Sequence, residues 1–269
     1  MELQGVLGFL GFGNMGSAIA RGLINTNTIE ANRIAAYDAD MSKRPAIEAL
    51  GAMWAESPAA LAGMSRAIML AVKPQTMAEA LDQLKPGFSP GTLVISIAAG
   101  ISIGWLQERL GAAARVIRVM PNTPAMVGAG AAGIAPSANC SEADAAVARA
   151  IFEAVGIADF VREQDIDAVT AVSGSGPAYF FYLVECLVRA GVAQGLDAAT
   201  ATRLAAQTAL GAGRLLAESG EPPAVLRERV TSKGGTTAAA LAQFYEKDLD
   251  AIIKAGVDAA AARSRELGK

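Results

Sequence analysis

The chain has 269 residues, 52% of them hydrophobic, and 23 Lys and Arg against 26 Asp and Glu give a formal charge of −3. That length and apolar content suit one large domain or two smaller ones with a substantial core, and they exclude a disordered chain. The near balance of charge leaves no electrostatic footprint for nucleic acid, and no run of like charge suggests a tail. Cys140 and Cys186 are too few for a disulfide framework and fit reduced thiols in the cytoplasm. Histidine is absent, which removes imidazole metal sites and the Ser/His and Cys/His nucleophile pairs; no metal site is expected.

The start, "MELQGVLGFLGFG", carries Glu2 where a signal peptide has a basic lead, so its short apolar run reads as a buried strand. "GVLGFL" (5–10) is that strand, and "NMGSAIARGLIN" (14–25) takes up a helical rhythm. "RIAAYD" (33–38) is a second strand, followed by the helical "MSKRPAIEAL" (41–50). "AIMLAV" (67–72), "TLVISIAA" (92–99) and "RVIRVM" (115–120) are further apolar strands, each preceded by helical or turn-like sequence. Unbroken apolar strands separated by helices predict a parallel sheet covered on both faces. The fold class is therefore α/β: an N-terminal Rossmann domain, doubly wound around a mostly parallel sheet, over residues 1–162. From 163 the pattern becomes long, Ala-rich and helical, with helices expected over 177–196, 198–219 and 249–267. Residues 163–269 read as an all-α domain that also forms a dimer interface, since alanine at helix contacts permits close approach but gives little bulk. No uninterrupted apolar stretch reaches the roughly 20 residues that span a bilayer, so no membrane partner is expected.

Gly11, Gly13 and Gly16 form a G-x-G-x-x-G placed directly after the first strand and opening a helix. Gly11 permits the tight turn, Gly13 lets the backbone approach a pyrophosphate, and Gly16 lets helix and strand pack closely. The helix N-terminus adds free N–H groups and the positive end of its dipole. In this context a dinucleotide site outweighs an ordinary glycine turn. Asp38, about 20 residues on, stands where an acid meets a ribose diol, which favours NAD. Lys43 and Arg44 follow within a turn and could meet a 2′-phosphate, so both cofactors stay open.

Residues 229–237, "RVTSKGGTT", gather hydroxyls around two glycines with Lys233 as the only charge after Arg229. Such a loop suits an anion, and it could equally be a connector. Five stretches then act together: "AVKPQ" (71–75), "SIAAGI" (96–101), "RVMPNTPA" (118–125), "DAVTAVSGSGPAYFF" (167–181) and "VTSKGGTT" (230–237). In order and spacing they resemble pyrroline-5-carboxylate reductase over essentially the whole chain. "SGSGPAY" and "TSKGGTT" are the most specific pieces.

The resemblance implies reduction of the cyclic imine pyrroline-5-carboxylate to L-proline with NADPH or NADH, the last step of proline synthesis. It implies a homodimer through the helical domain, assembled further in many relatives. By the same resemblance, Leu10, Gly11, Phe12, Gly13, Asn14 and Met15 hold the pyrophosphate. Ala71, Val72, Lys73 and Pro74 line the nicotinamide side with Ile97, Ala98 and Ala99. Ser232, Gly235, Thr236 and Thr237 receive substrate, with Ser173, Gly174 and Ser175 close to the active site. Two departures touch cofactor details: Ser57-Pro58 and Arg229 stand where many or some relatives carry Asn.

The residues suit that chemistry. The substrate brings a basic ring nitrogen, so a hydroxyl suffices to orient its proton, and Thr237 is the candidate catalytic group. Backbone N–H groups beside glycines can hold the carboxylate without a buried charge. Thr237 also reads as a helix cap, since "GGTTAAALAQF" looks like the start of a helix. Lys73 can steer an anion or simply shape the turn before Pro74. Pro177 suits a first helical turn behind a Ser/Gly cap, with Ser175 shaping the pocket. "MPNT" (120–123) ends the last long strand and braces the pocket from below, with binding by Asn122 not preferred. A β-hydroxyacid dehydrogenase would place a Lys on the helix beginning "SGSGPAYFF", and none is there. A redox-sensing dinucleotide binder would have no use for the "TSKGGTT" site.

Overall fold

A computed structural model describes residues 5–268; Glu2, on which the reading of the leader rests, lies outside them. The chain separates into two compact units. The first runs to Ser175 and takes in the stretch from Ala260 onward; the second is Gly176–Ala259.

The first unit is built on an eight-stranded sheet. Its strands are β1 (Val6–Leu10), β2 (Ile34–Tyr37), β3 (Met53–Trp54), β4 (Ser65–Leu70), β5 (Leu93–Ser96), β6 (Arg115–Met120), β7 (Gly130–Pro136) and β8 (Gly156–Phe160), in the spatial order β3-β2-β1-β4-β5-β6-β7-β8. Every pairing is parallel except β6 with β7. The interleaved helices are α1 (Asn14–Asn25), α2 (Arg44–Glu48), α3 (Pro58–Met64), α4 (Met77–Leu84), α5 (Ile103–Leu110), α6 (Glu142–Glu153) and α7 (Ile166–Val169). Two buried clusters show that both faces are covered. One gathers Phe9, Ile19, Leu23, Met69 and Phe152; the other Leu10, Leu61, Leu70, Leu81 and Leu106. Adjacent residues such as Phe9 and Leu10 point to opposite faces, as the two-residue period of a strand requires.

The apolar runs identified in the sequence are strands, but β4 and β5 end at Leu70 and Ser96. Ala71–Val72 and Ile97–Ala99 therefore leave the sheet as loops at its C-terminal edge. β3, β7 and β8 are additional strands.

After α7 the chain does not break. Thr170–Gly174 form a π-helical turn that leads directly into α8 (Gly176–Ala193). The expected Ser/Gly cap before Pro177 is thus replaced by a continuous helical run. The physical cause is local: Pro177 has no N–H to return to the Ser173 carbonyl, and the Asn122 side chain donates to that oxygen instead at 3.1 Å. Ser175 N–H closes the wider turn on Thr170 O at 2.8 Å. Carried through the π turn, Glu163–Ala193 is long and apolar enough to cross a bilayer by length and composition alone, with 11% of its most apolar window buried. Glu163, Asp165, Asp167, Glu185 and Arg189 interrupt it, so the sequence still holds no unbroken apolar stretch of bilayer length there.

The second unit contains α8, α9 (Ala198–Ser219), α10 (Pro223–Arg229), α11 (Thr236–Glu246) and most of α12 (Leu249–Leu267). Phe180 and Phe181 on α8, Leu204 and Leu210 on α9, and Ile252 and Ile253 on α12 are each about half exposed or more. Apolar surface on that scale marks an interaction face.

Candidate active site

β2 and β3 are added on one side of β1 and β4 to β6 on the other, so the order of strand addition switches between β1 and β4. Ligands of open α/β sheets bind outside the strand ends at such a point. The glycine turn sits there. Gly11 has φ +96°, and a Cβ on it would lie 2.8 Å from the Ala71 carbonyl, so only glycine fits. A Cβ at Gly16 would lie 2.8 Å from Gly11 O, whereas one at Gly13 would meet nothing within 4 Å. The packing thus excludes side chains on the sheet side and leaves Gly13 open to an approaching ligand. Gly13 is also the N-cap of α1 without any side-chain cap, so amides of the first turn remain available. A pyrophosphate fits this cradle.

Two cavities flank the turn. One, of about 320 Å³, is lined by Leu10, Gly11, Gly13, Asp38, Ala71, Val72 and Lys73, together with Tyr37, Pro58 and residues of α4. The other, of about 300 Å³, is lined by Met15, Ala71–Pro74, Ile97–Ala99, Met120–Thr123 and Gly174. Ala71–Lys73 belong to both, so the cavities form one groove along the strand ends. Asp38 accepts from Phe12 N–H at 2.6 Å and from Asp40 N–H at 2.9 Å. Phe12 turns its ring into the core, edge-on to Phe9, and only its backbone faces the loop. Asn14 lies at the mouth of a different surface cavity along α1 with Ser17 and Arg21. Arg44 is taken by Glu48 and Glu56 at 2.8 and 3.1 Å.

Met120–Thr123 were read from sequence as a brace, and both roles meet there. Asn122 is buried, donates to Ser173 O and accepts from Ala131 N–H at 2.8 Å, while its neighbours line the groove. Gly174 lines it too, and a Cβ there would press on Met120 Cε at 2.6 Å. Ser173 faces another cavity beside β8. Pro58, one of the two departures noted in the sequence, lines the first cavity, and Tyr37, Thr76, Glu79 and Gln83 are lining residues that sequence reasoning missed. For Tyr37 the signal was its place directly before Asp38.

The loop Ser232–Thr237 belongs to the second unit. Gly234 adopts φ +72°, and Gly235 N–H donates to Ser232 O at 3.0 Å. Gly235, not Thr237, is the N-cap of α11, and no side chain caps it. The cap reading of Thr237 is thereby corrected: it stands one residue inside the helix. Amides of the first turn of α11, with adjacent hydroxyls, form a donor cluster with no carboxylate among residues 230–238.

A glycine-turned phosphate cradle on a doubly wound sheet, followed by a separate helical unit, defines a nicotinamide-dependent oxidoreductase of Rossmann type. Residues 163–267 match the family model "Pyrroline-5-carboxylate reductase dimerisation", and residues 6–100 match "NADP oxidoreductase coenzyme F420-dependent". A pyrroline-5-carboxylate reductase of Pseudomonas aeruginosa is 41% identical over 98% of this chain and 97% of its own. The solved enzyme from Coxiella burnetii superposes with a TM-score of 0.95 at 35% identity, over 99% of this chain and 100% of that one. The one from Plasmodium falciparum, with NADP bound, gives 0.88 at 33% identity and covers both chains completely. The chain belongs to the pyrroline-5-carboxylate reductase family.

Proposed function

We propose that the chain reduces pyrroline-5-carboxylate to L-proline with a reduced nicotinamide cofactor. The observation that carries the reading is the α11 N-terminus: an uncapped run of amides and hydroxyls in a chain without histidine. Family membership supports the substrate. When bound, the reduced nicotinamide supplies a hydride to the imine carbon. The backbone of Leu10–Met15 holds the pyrophosphate, with Gly13 as the point of closest approach. Ala71–Pro74 and Ile97–Ala99 shape the nicotinamide pocket and limit water there. Ser232, Gly235 and Thr236 hold the substrate carboxylate, and the Thr237 hydroxyl orients the proton on the ring nitrogen. Ser173–Ser175 shape the pocket through the π turn. Positioning supplies most of the acceleration, since the cofactor brings the reactive hydride.

Residues 1–162 act in this reading as the dinucleotide-binding domain and 163–269 as the dimerisation and substrate-binding domain. The family match over 163–267 and the exposed apolar side chains of α8, α9 and α12 support a homodimer. Cys140 and Cys186 are both free, which supports a cytoplasmic location.

The test follows loss of reduced-nicotinamide absorbance on adding pyrroline-5-carboxylate. Wild type should turn over. Thr237→Ala, with its fold checked by circular dichroism, should lose about tenfold to a hundredfold in kcat. Absence of turnover despite cofactor binding would overturn the reductase reading, and an unchanged Thr237→Ala would remove that hydroxyl from the chemistry.

A further inference from the structure

At the Asp38 end the groove is negatively lined. Asp38 borders the cavity beside Gly11 and Tyr37, and Glu79 borders it from α4. The Asp38 carboxylate is fixed by one backbone donor on each oxygen, Phe12 N–H on Oδ2 and Asp40 N–H on Oδ1. Each oxygen keeps a further acceptor position. A carboxylate held this way can receive both hydroxyls of a ribose diol. A 2′-phosphate in the same place would set about two further negative charges against it.

Neither cation that follows, Lys43 or Arg44, lines this cavity, and Arg44 is already engaged. Arg44 donates Nε to Glu48 and Nη1 to Glu56, and its guanidinium lies 5.9 Å from the centre of the Trp54 ring. Turning it toward a phosphate would strip two carboxylates of their partner. Lys43 lies near Asp40, whose carboxyl is held below the ordinary range chiefly by its hydrogen bond with Ser42 and less by the Lys43 charge. Among the described residues that line this cavity, Lys73 is the one cation, and it also lines the nicotinamide cavity.

We propose that Asp38 receives the adenosine ribose diol and makes this chain select NADH over NADPH. The inference rests on the oxidoreductase reading and departs from the cofactor bound in the Plasmodium falciparum relative.

The experiment titrates the full-length protein with NADH and with NADPH, without substrate, following tryptophan fluorescence at fixed ionic strength. NADH should bind about tenfold or more tightly, a like-charge contact being enough for that ratio. Asp38→Asn keeps an acceptor for the Phe12 amide and removes the charge, so it should shift the ratio about tenfold toward NADPH. Arg44→Ala should change both affinities equally. The proposal is overturned if wild type binds NADPH as tightly as NADH, if Asp38→Asn leaves the ratio unchanged, or if Arg44→Ala weakens NADPH alone. Turnover assays on the same samples separate the two readings. Selective NADH binding without imine reduction sinks the reductase assignment and leaves the selectivity. Reduction with equal affinities sinks only the selectivity.

Discussion

Asn122 shows how one side chain can tie two motifs that are distant in sequence. Its amide nitrogen satisfies the Ser173 carbonyl that Pro177 cannot use, and its oxygen takes the Ala131 N–H. Asn122→Ala would leave both partly buried backbone groups without this partner, and chemical denaturation should show a loss of about 1 kcal/mol. Asn122→Asp should fare no better, because it keeps the acceptor but sets a carboxylate against a carbonyl. Because Met120–Thr123 and Gly174 line the groove, both variants should also raise the KM for cofactor more than they lower kcat. At this scale the sequence was informative wherever chemistry needs a particular residue type. Gly11 and Gly16 are glycines because a Cβ would strike backbone, and Asp38 is an acid where a diol is expected. Asn122 was less legible, since its partners come from segments that meet only in the folded sheet.

Among the elements, the five long apolar strands and the helices over 14–25, 198–219 and 249–267 were legible because their periods are sustained. β7, "GAAGIAP", and β8, "GIADF", were not, since glycine, alanine and a terminal proline lack the β-branched signature of strands. The π turn has no period of its own and arises from Pro177 and Asn122 together. α6 is held at its start by a capping box in which Ser141 and Asp144 exchange hydrogen bonds, and Arg115 donates to Asp144 at 2.6 Å. Burial pushes the Asp144 carboxyl up, but the Ser141 hydrogen bonds and the Arg115 charge outweigh it and hold the group below its ordinary range. A carboxyl depressed in the folded state adds stability above its unfolded value, about pH 4, and that stability is lost as pH falls through the folded value. Thermal melts of Asp144→Asn should lie lower by about 1–2 kcal/mol at neutral pH and decline less steeply in acid than wild type.

For the whole molecule, the question is what covers the apolar side chains of the second unit. Sedimentation should find a dimer or larger species for wild type, and Phe180→Asp with Phe181→Asp should shift it to monomer with loss of activity. A wild-type monomer would remove the dimer from the reading. The long helices were plain in the sequence, yet the end of α12 was not assigned to the sheet unit, because its anchors are single residues. Ser264 donates to Asp167 at 2.6 Å, and Leu267 packs so close over Gly100 that a Cβ there would lie 2.6 Å from its carbonyl oxygen. Translation makes the sheet first, then the helices of the second unit, and only then these anchors. The portion of the chain synthesised earliest is therefore finished by residues that leave the ribosome late. A ribosome stalled inside the helical region would leave Asp167 without its Ser264 partner and Gly100 uncovered, so completion of the sheet unit is coupled to completion of the helices.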